Sequence, residues 1–300
     1  MNRARRHAWE DRAAGAVQSL LRRLPRSWAL AFGRSLGRLW ADLDPRHVAI
    51  ANENLRHAFP DWDEPRRLRT ARGVYAHLGQ TLMDILWLDG RPKEDLISFI
   101  DEEGRDNVER ARAAGKGIVF VTGHFGNWEM SGVCWGWLGE PVGVIARPLD
   151  NPALDARLSA FRARSGNTII SKRRALPDIL RLLRAGKGVA MLVDQNVQEA
   201  DGIFVDFFGR PAATTTAAAA LAVKTGCALL PCFCEARPDG RYRLVYEAPY
   251  QWTPTGHREE DIARITQGLT AMIEGWVRDR PEQWLWIHRR WKTRPPEVAP

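Results

Sequence analysis

The segment GIVFVTGHFGNWEM (117–130) carries the residue types most suited to proton transfer. A short apolar run ends at Thr122-Gly123 and His124 follows at once. A histidine with a carboxylate on its far ring nitrogen is an oriented general base, able to take a proton from a hydroxyl whose oxygen attacks a thioester. The nearest carboxylate in the chain is Glu129, five positions on. Five residues of ideal helix turn the side chain by roughly 140° out of register. The pair can therefore meet only if His124 sits in a turn and Glu129 in the first helical turn beyond it. Gly123 and Gly126 give that turn its freedom. Backbone amides of Gly123–Asn127 are placed to receive developing negative charge, a contribution of about 3 kcal/mol. No Ser, Thr or Cys beside His124 stands as a covalent nucleophile, which favours direct transfer in a ternary complex. No third histidine lies at metal-ligand spacing.

Taken alone, a His-x4-Glu pair is a weak motif. Its weight comes from what lies at the ends of the other apolar runs. Arg147 follows one run, Lys172-Arg173-Arg174 another and Asp194-Gln195-Asn196 a third. Ligands gather at the carboxyl ends of strands in an open α/β sheet. Arginine forks bind phosphate in two-pronged fashion. Arg147, Arg164 and Lys172 are thus read as substrate-phosphate contacts, with Asn127, Asp194 and Gln195 completing the substrate-binding set. Asp194 is placed to brace an arginine or the catalytic turn. Arg157 and Arg162 read as a solvated helix face.

These residues need a scaffold, and the pattern supplies one. Apolar runs at 117–122, 142–146, 167–171, 188–193 and 228–234 alternate with helical stretches at 128–138, 152–164, 175–185 and 212–225. That alternation predicts an α/β fold with a central, mostly parallel sheet flanked by helices. Residues 242–247 read as an edge strand and 258–279 as a long helix. Thr214–Thr216 are candidate caps for the alanine-rich helix, whose small side chains either pack closely or leave room for an acyl chain. Trp284, Trp286 and His288 alternate as in a strand, among cations that also suit lipid headgroups or stacked bases. Before this core, residues 10–91 read as successive helices punctuated by Pro25, Pro45, Pro60 and Pro65. The organisation expected is an N-terminal helical, membrane-associating region (1–103) and an α/β core (104–294) in one structural unit.

The 300 residues carry a formal net charge of +8. Residues 1–40 hold nine arginines against Glu10 and Asp11, so nearly the whole imbalance is local. Such an arm suits an anionic surface, either acidic lipid or nucleic acid. In the first helices Leu20, Leu21, Leu24, Leu36, Leu39, Trp40 and Leu43 fall at helical spacing with arginines between them, a pattern able to lie in a membrane interface or to pack on the protein's own core. The run Trp28–Leu43 is broken by Arg34, Arg38 and Asp42, short of the ~20 apolar residues a span requires. No secretory signal is read at the start. Cys134, Cys227, Cys232 and Cys234 fit neither zinc nor redox spacing and read as small core residues in a reducing compartment.

Six segments, in this order, carry a resemblance: NENLRHAFP, GHFGNWE, ARPLDNP, RSGNTIISKR, DQN with GIFVDFFGRPAAT, and QWLWIHRRWK. Over roughly residues 25–294 the chain resembles the bacterial lipid A biosynthesis (lauroyl and myristoyl) acyltransferases, within the wider lysophospholipid acyltransferase group. The resemblance implies a His124–Glu129 dyad, with substrate-phosphate contacts at Arg147 and Arg164. It implies acyl transfer from an acyl carrier protein, or acyl-coenzyme A, to a glycolipid hydroxyl, with no cofactor and no metal. Asp194-Gln195-Asn196 stands where the glycerolipid branch carries a Glu-Gly-Thr-type motif, which points away from glycerol-phosphate acceptors. The arginine-broken N-terminus implies a peripheral protein on the cytoplasmic face of the inner membrane. Other lipid acceptors (a phospholipid or a mannolipid), a non-catalytic membrane scaffold and a basic nucleic-acid-binding protein stand as alternatives.

Overall fold

The computed structural model describes residues 3–139, 141–171 and 175–296. Its opening half-domain is helical: α1 (Arg3–Leu21), α2 (Arg26–Leu43), α3 (Pro45–Ala58), α4 (Glu64–Leu88) and the short α5 (Lys93–Ile97). Pro45 and Pro65 occupy first-turn positions, where a missing N–H costs nothing, and Asp44 and Asp63 cap α3 and α4 by accepting from His47 N and Arg66 N. Helices α2 and α4 touch backbone to backbone. A Cβ on Gly33 would meet Gly79 O at 2.5 Å, and one on Gly37 would meet Ala76 Cα at 2.9 Å. The face of α2 carrying Ala29, Leu30, Gly33, Gly37 and Ala41 is therefore the buried one.

A seven-stranded sheet follows, in the order β1-β9-β8-β2-β5-β3-β4. Its strands are β1 (Ile100–Glu103), β2 (Ile118–Thr122), β3 (Val142–Ala146), β4 (Thr168–Ser171), β5 (Gly188–Leu192), β8 (Ala228–Ala236) and β9 (Tyr242–Tyr246). All neighbours are parallel except the β8–β9 pair. The helices between them are α6 (Arg105–Ala113), α7 (Trp128–Trp137), α8 (Pro152–Ala163), α9 (Ala175–Arg184), α10 (Ala217–Thr225) and α11 (Arg258–Asp279). Alternate residues of the central strands enter two cores. Val119, Val121, Val189 and Met191 face α9, α10 and α11, while Ile118, Phe120 and Ala190 face α7 and the end of α4.

Three local expectations change. Residues 242–247 are not the sheet edge: β1, donated from just before residue 104, lies outside β9. The stretch from 212 is strand before it is helix. Strands β6 (Gly202–Phe207) and β7 (Arg210–Thr215) form an antiparallel hairpin closed by Phe208-Gly209. Residues 284–288 form no strand. Trp284 makes an isolated bridge to Phe125, and Trp284 and Trp286 are buried. Asn54 of α3 donates to Trp286 O (2.7 Å) and His288 O (2.8 Å), tying that terminal segment to the helical half.

Candidate active site

Strand register sets the first contact. Strands β2 and β5 pair in parallel with Thr122 opposite Leu192, so His124 and Asp194 leave the sheet side by side, two residues beyond it. His124 Nδ1 donates to Asp194 Oδ1 at 2.7 Å, and the His124 backbone N–H donates to Asp194 Oδ2 at 2.6 Å. Trp284 Nε1 donates to the same Oδ2 at 2.7 Å. A fully buried carboxylate accepting three N–H groups has its acceptor capacity well used. Desolvation works to raise its pKa, but the His124 charge and these hydrogen bonds outweigh it and hold it down to about 2. For His124 desolvation works downward, and the Asp194 charge and hydrogen bond, with the Glu129 charge behind them, bring the pKa above its usual 6.5. Because an ionised carboxylate can only accept, Nδ1 carries the proton and Nε2 is the free basic nitrogen. Gln195 Nε2 stands 3.3 Å from it.

The turn around His124 is fastened from three sides. His77, buried and with its pKa lowered by burial, bonds through Nε2 to Gly126 O at 2.9 Å. Gly126 N donates to Gln283 O and Asn127 N to Cys234 O. Gly126 has φ +58, and any Cβ there would strike Cys234 O. A Cβ on Gly123 would stand 2.9 Å from Asp194 Oδ2. Close approach therefore demands both glycines, and at Gly126 the left-handed backbone does so as well.

Several expected roles change at this point. Glu129 does not orient His124. As the second residue of α7 it turns to α8, where Arg162 grips it at 2.7 and 2.5 Å. Arg162, expected on a solvated face, is thus a wall of the site; Arg157 does pair at the surface, with Asp11. The orienting carboxylate is that of Asp194, which sequence reasoning had offered as a brace or a substrate contact. Asn127 is buried and structural: it caps α7 by accepting from Met130 N and donates to Tyr242 Oη. Arg164 lies away from the cavity, donating to the carbonyls of Leu88 and Arg91. The backbone amides of His124, Gly126 and Asn127 are all engaged, so they cannot form an oxyanion hole; the Gln195 side-chain amide is the donor beside the free ring nitrogen. Arg147 does line the cavity, exposed at its rim. Lys172 lies outside the described residues. Thr215, rather than its neighbours, accepts from Ala217 N at the start of α10, while Thr214 is buried and receives the Arg290 guanidinium.

His124 opens into a cavity of about 1360 Å³. Its position follows from a split in the sheet: β3 and β5 stay paired only to Val144–Ala190, while β2 and β5 continue to Thr122–Leu192. Consecutive residues Ala190 to Val193, at the end of β5 and just past it, all line the cavity, so it reaches both faces of the sheet. Under α7 its wall is Trp128, Gly132, Trp135, Val144 and Leu158 beside the Glu129–Arg162 pair. On the other face Ile179, Met191, Ala217, Ala220 and Leu221 lead outward to Lys224 and Arg258. The small side chains of α10 therefore do both things expected of them: Ala218, Ala219 and Ala222 pack inward and Ala217 and Ala220 leave room. Among the described residues no group of three or more His, Cys, Asp or Glu side chains is gathered to hold a metal ion.

An α/β sheet that sets a carboxylate-held histidine at its carboxyl edge, beside a cavity lined by more apolar than polar side chains, has the parts for proton transfer on a chain-bearing substrate. Residues 5–293 match the family described as bacterial lipid A biosynthesis acyltransferase, and the chain belongs to that family. It is 28% identical to a lipid A biosynthesis lauroyltransferase of Escherichia coli over 93% of this chain and 90% of that enzyme. It is 29% identical to the palmitoleoyltransferase of the same organism over 90% and 93% respectively. A phosphatidylinositol mannoside acyltransferase of Mycobacterium tuberculosis is 30% identical over 63% of this chain and 58% of that protein. The protein is an acyltransferase.

Proposed function

We propose that the chain transfers a fatty-acyl group from a thioester to a hydroxyl of a lipid A precursor or a related glycolipid. The observation that carries this is the free Nε2 of His124, held by Asp194 on the opposite nitrogen, facing a cavity large enough for lipid chains. In the reaction Nε2 takes the proton of the acceptor hydroxyl as its oxygen attacks the thioester carbonyl. The tetrahedral oxyanion is met by the Gln195 amide. The C–S bond then breaks, and the leaving thiolate takes the proton back from the imidazolium. Asp194 keeps Nδ1 protonated and stabilises the transient cation. No cofactor enters this scheme.

The acyl donor is read as an acyl carrier protein or acyl-coenzyme A, and the exposed cations at the cavity rim suit either. The acceptor's phosphates are read onto Arg147, Lys224 and Arg258. The site of action is read as the cytoplasmic face of the inner membrane, supported by α2. Opposite its buried small-residue face, Trp28, Phe32, Leu36, Leu39, Trp40 and Leu43 are exposed together, Leu43 by 75% and Trp28 by 66%. Large apolar groups in water and small ones inside reverse the usual arrangement and suit an interfacial helix. No helix among the described residues is long and apolar enough to cross a membrane.

A mannolipid acceptor is a second reading, favoured by the likeness to the mycobacterial enzyme. Nucleic-acid binding loses its stacking platform, because Trp284 and Trp286 are buried. The test is transfer from labelled acyl-carrier-protein and acyl-coenzyme A donors to a lipid A precursor and to a phosphatidylinositol mannoside, with His124→Ala alongside. Transfer lost in a folded His124→Ala variant supports the reading; full activity in that variant overturns it.

A further inference from the structure

The cavity is lined differently on the two faces of the sheet, and the part on each face is a lobe of it. Beyond the sheet split the lining includes exposed Leu176, Lys224 and Arg258; beneath α7 it includes Trp135, 2% exposed and stacked on Phe120, with exposed Arg147 and Leu149 after β3. A wall backed by a buried aromatic suits one saturated chain; a cation-rimmed one suits a bulky anionic lipid. Gly132 lies in the wall of the lobe beneath α7, between Trp128 and Trp135 on the inward face of that helix. A glycine inside a helix costs about 1 kcal/mol against alanine, so its presence calls for a reason.

At Gly136, in the same helix, the reason is steric: a Cβ would fall 2.5 Å from Ser165 Oγ. At Gly132 no such neighbour exists. Its φ is not positive, and the nearest atom to an added Cβ is Val144 Cγ2 at 4.0 Å. Gly275, equally unhindered, faces solvent and lines nothing, so an open Cβ position is informative only where it points into a cavity. Resting on the acyltransferase reading above, we infer that the lobe beneath α7 holds the donor's acyl chain and that Gly132 sets how long a chain it accepts. A side chain at 132 occupies space that chain would use, without displacing any backbone.

The experiment measures kcat/KM for a series of saturated acyl thioesters of graded length with wild type, Gly132→Ala and Gly132→Leu. Short chains are expected to react as in wild type. Beyond a cut-off that moves to shorter chains from Ala to Leu, kcat/KM falls about fourfold for each methylene that can no longer be buried. Both substitutions raise helix propensity, so thermal stability should hold, and Gly275→Ala controls for that gain. An unchanged length profile in all three proteins overturns the inference, as does a uniform loss at every length in folded variants. Should wild type transfer no chain from any donor, the acyltransferase reading falls by itself. Calorimetric affinities of thioether analogues then decide the subsite: a length limit shortened by Gly132→Leu supports it, and no dependence on length overturns it.

Discussion

Replacing Asp194 by Asn keeps the size of the side chain and changes what it can accept. Three N–H groups converge on the carboxylate, at 2.6, 2.7 and 2.7 Å. An amide has one oxygen and one NH2, so the two donors now on Oδ2 or the one on Oδ1 must face another donor. Leaving a buried donor unmet costs about 1–3 kcal/mol, a loss of stability that thermal or urea denaturation reads directly. The alternative is for His124 to move its proton to Nε2 and accept from the new amide at Nδ1, which removes the base. The same substitution beside the histidine of a serine protease lowers turnover about 10⁴-fold for that reason, and a loss of about 10³- to 10⁴-fold is expected here. The pH profile separates this from simple damage. His124 has its pKa raised, so wild-type kcat/KM should rise with pH through a limb lying above pH 6.5. Without the Asp194 charge that limb should move to lower pH in the residual activity. By linkage, the raised His124 value contributes stability below 6.5 that is lost as pH rises through the folded pKa. The depressed Asp194 value contributes above 3.8 and is lost as pH falls toward about 2. An Asp194→Asn enzyme within tenfold of wild type, with its acid limb in place, would refute the assignment.

Glu129→Gln should act differently, by leaving the Arg162 guanidinium without its partner, at a cost of about 3 kcal/mol. Adding Arg162→Met should recover part of that stability, measured as a non-additive double-mutant cycle in denaturation. Phe32→Asp with Leu36→Asp should weaken co-sedimentation with anionic vesicles about tenfold or more while leaving the melting temperature unchanged, since both side chains are exposed. Gly37→Val should destabilise by about 3 kcal/mol or more, because its Cβ meets the Tyr75 carbonyl and α2 must leave α4. Cys232 and Cys234 should resist thiol reagents in the native protein, as burial pushes both thiols well above 9.0.

The parallel strands were legible because strands buried on both faces read as unbroken apolar runs. The hairpin of β6 and β7 was not, and its turn explains why. Phe208 and Gly209 both have positive φ, at 57 and 72, as a two-residue hairpin loop of the mirror-image type requires. The usual signal for that loop is Asn-Gly, and phenylalanine there gives no warning; the Phe208 N–H is instead secured by Glu274 Oε2 at 2.6 Å. His124 was legible from its place after a strand, but its partner was sought along the helix. The available signal lay across the sheet. His124 and Asp194 each stand two residues past adjacent parallel strands, and parallel register places such residues abreast. Arg162 and Trp284 gave no comparable sign, since each meets the site through tertiary packing of an element read as surface or as strand.

The division between the two carboxylates follows from what a base requires. An imidazole can serve as one only if a single nitrogen is occupied by an acceptor and the other is left for the substrate hydroxyl. Glu129 is near enough for its charge to raise the His124 pKa. A second carboxylate free to reach Nε2 would hold a proton there and present the hydroxyl with an imidazolium. The two-pronged grip of Arg162, with both side chains mostly enclosed, engages both Glu129 oxygens in the cavity wall. Asp194, fixed by Trp284 and the His124 amide, has no such freedom to begin with. In this structure the spacing His-x4-Glu places Glu129 in the cavity wall against Arg162, while strand register brings His124 and Asp194 together.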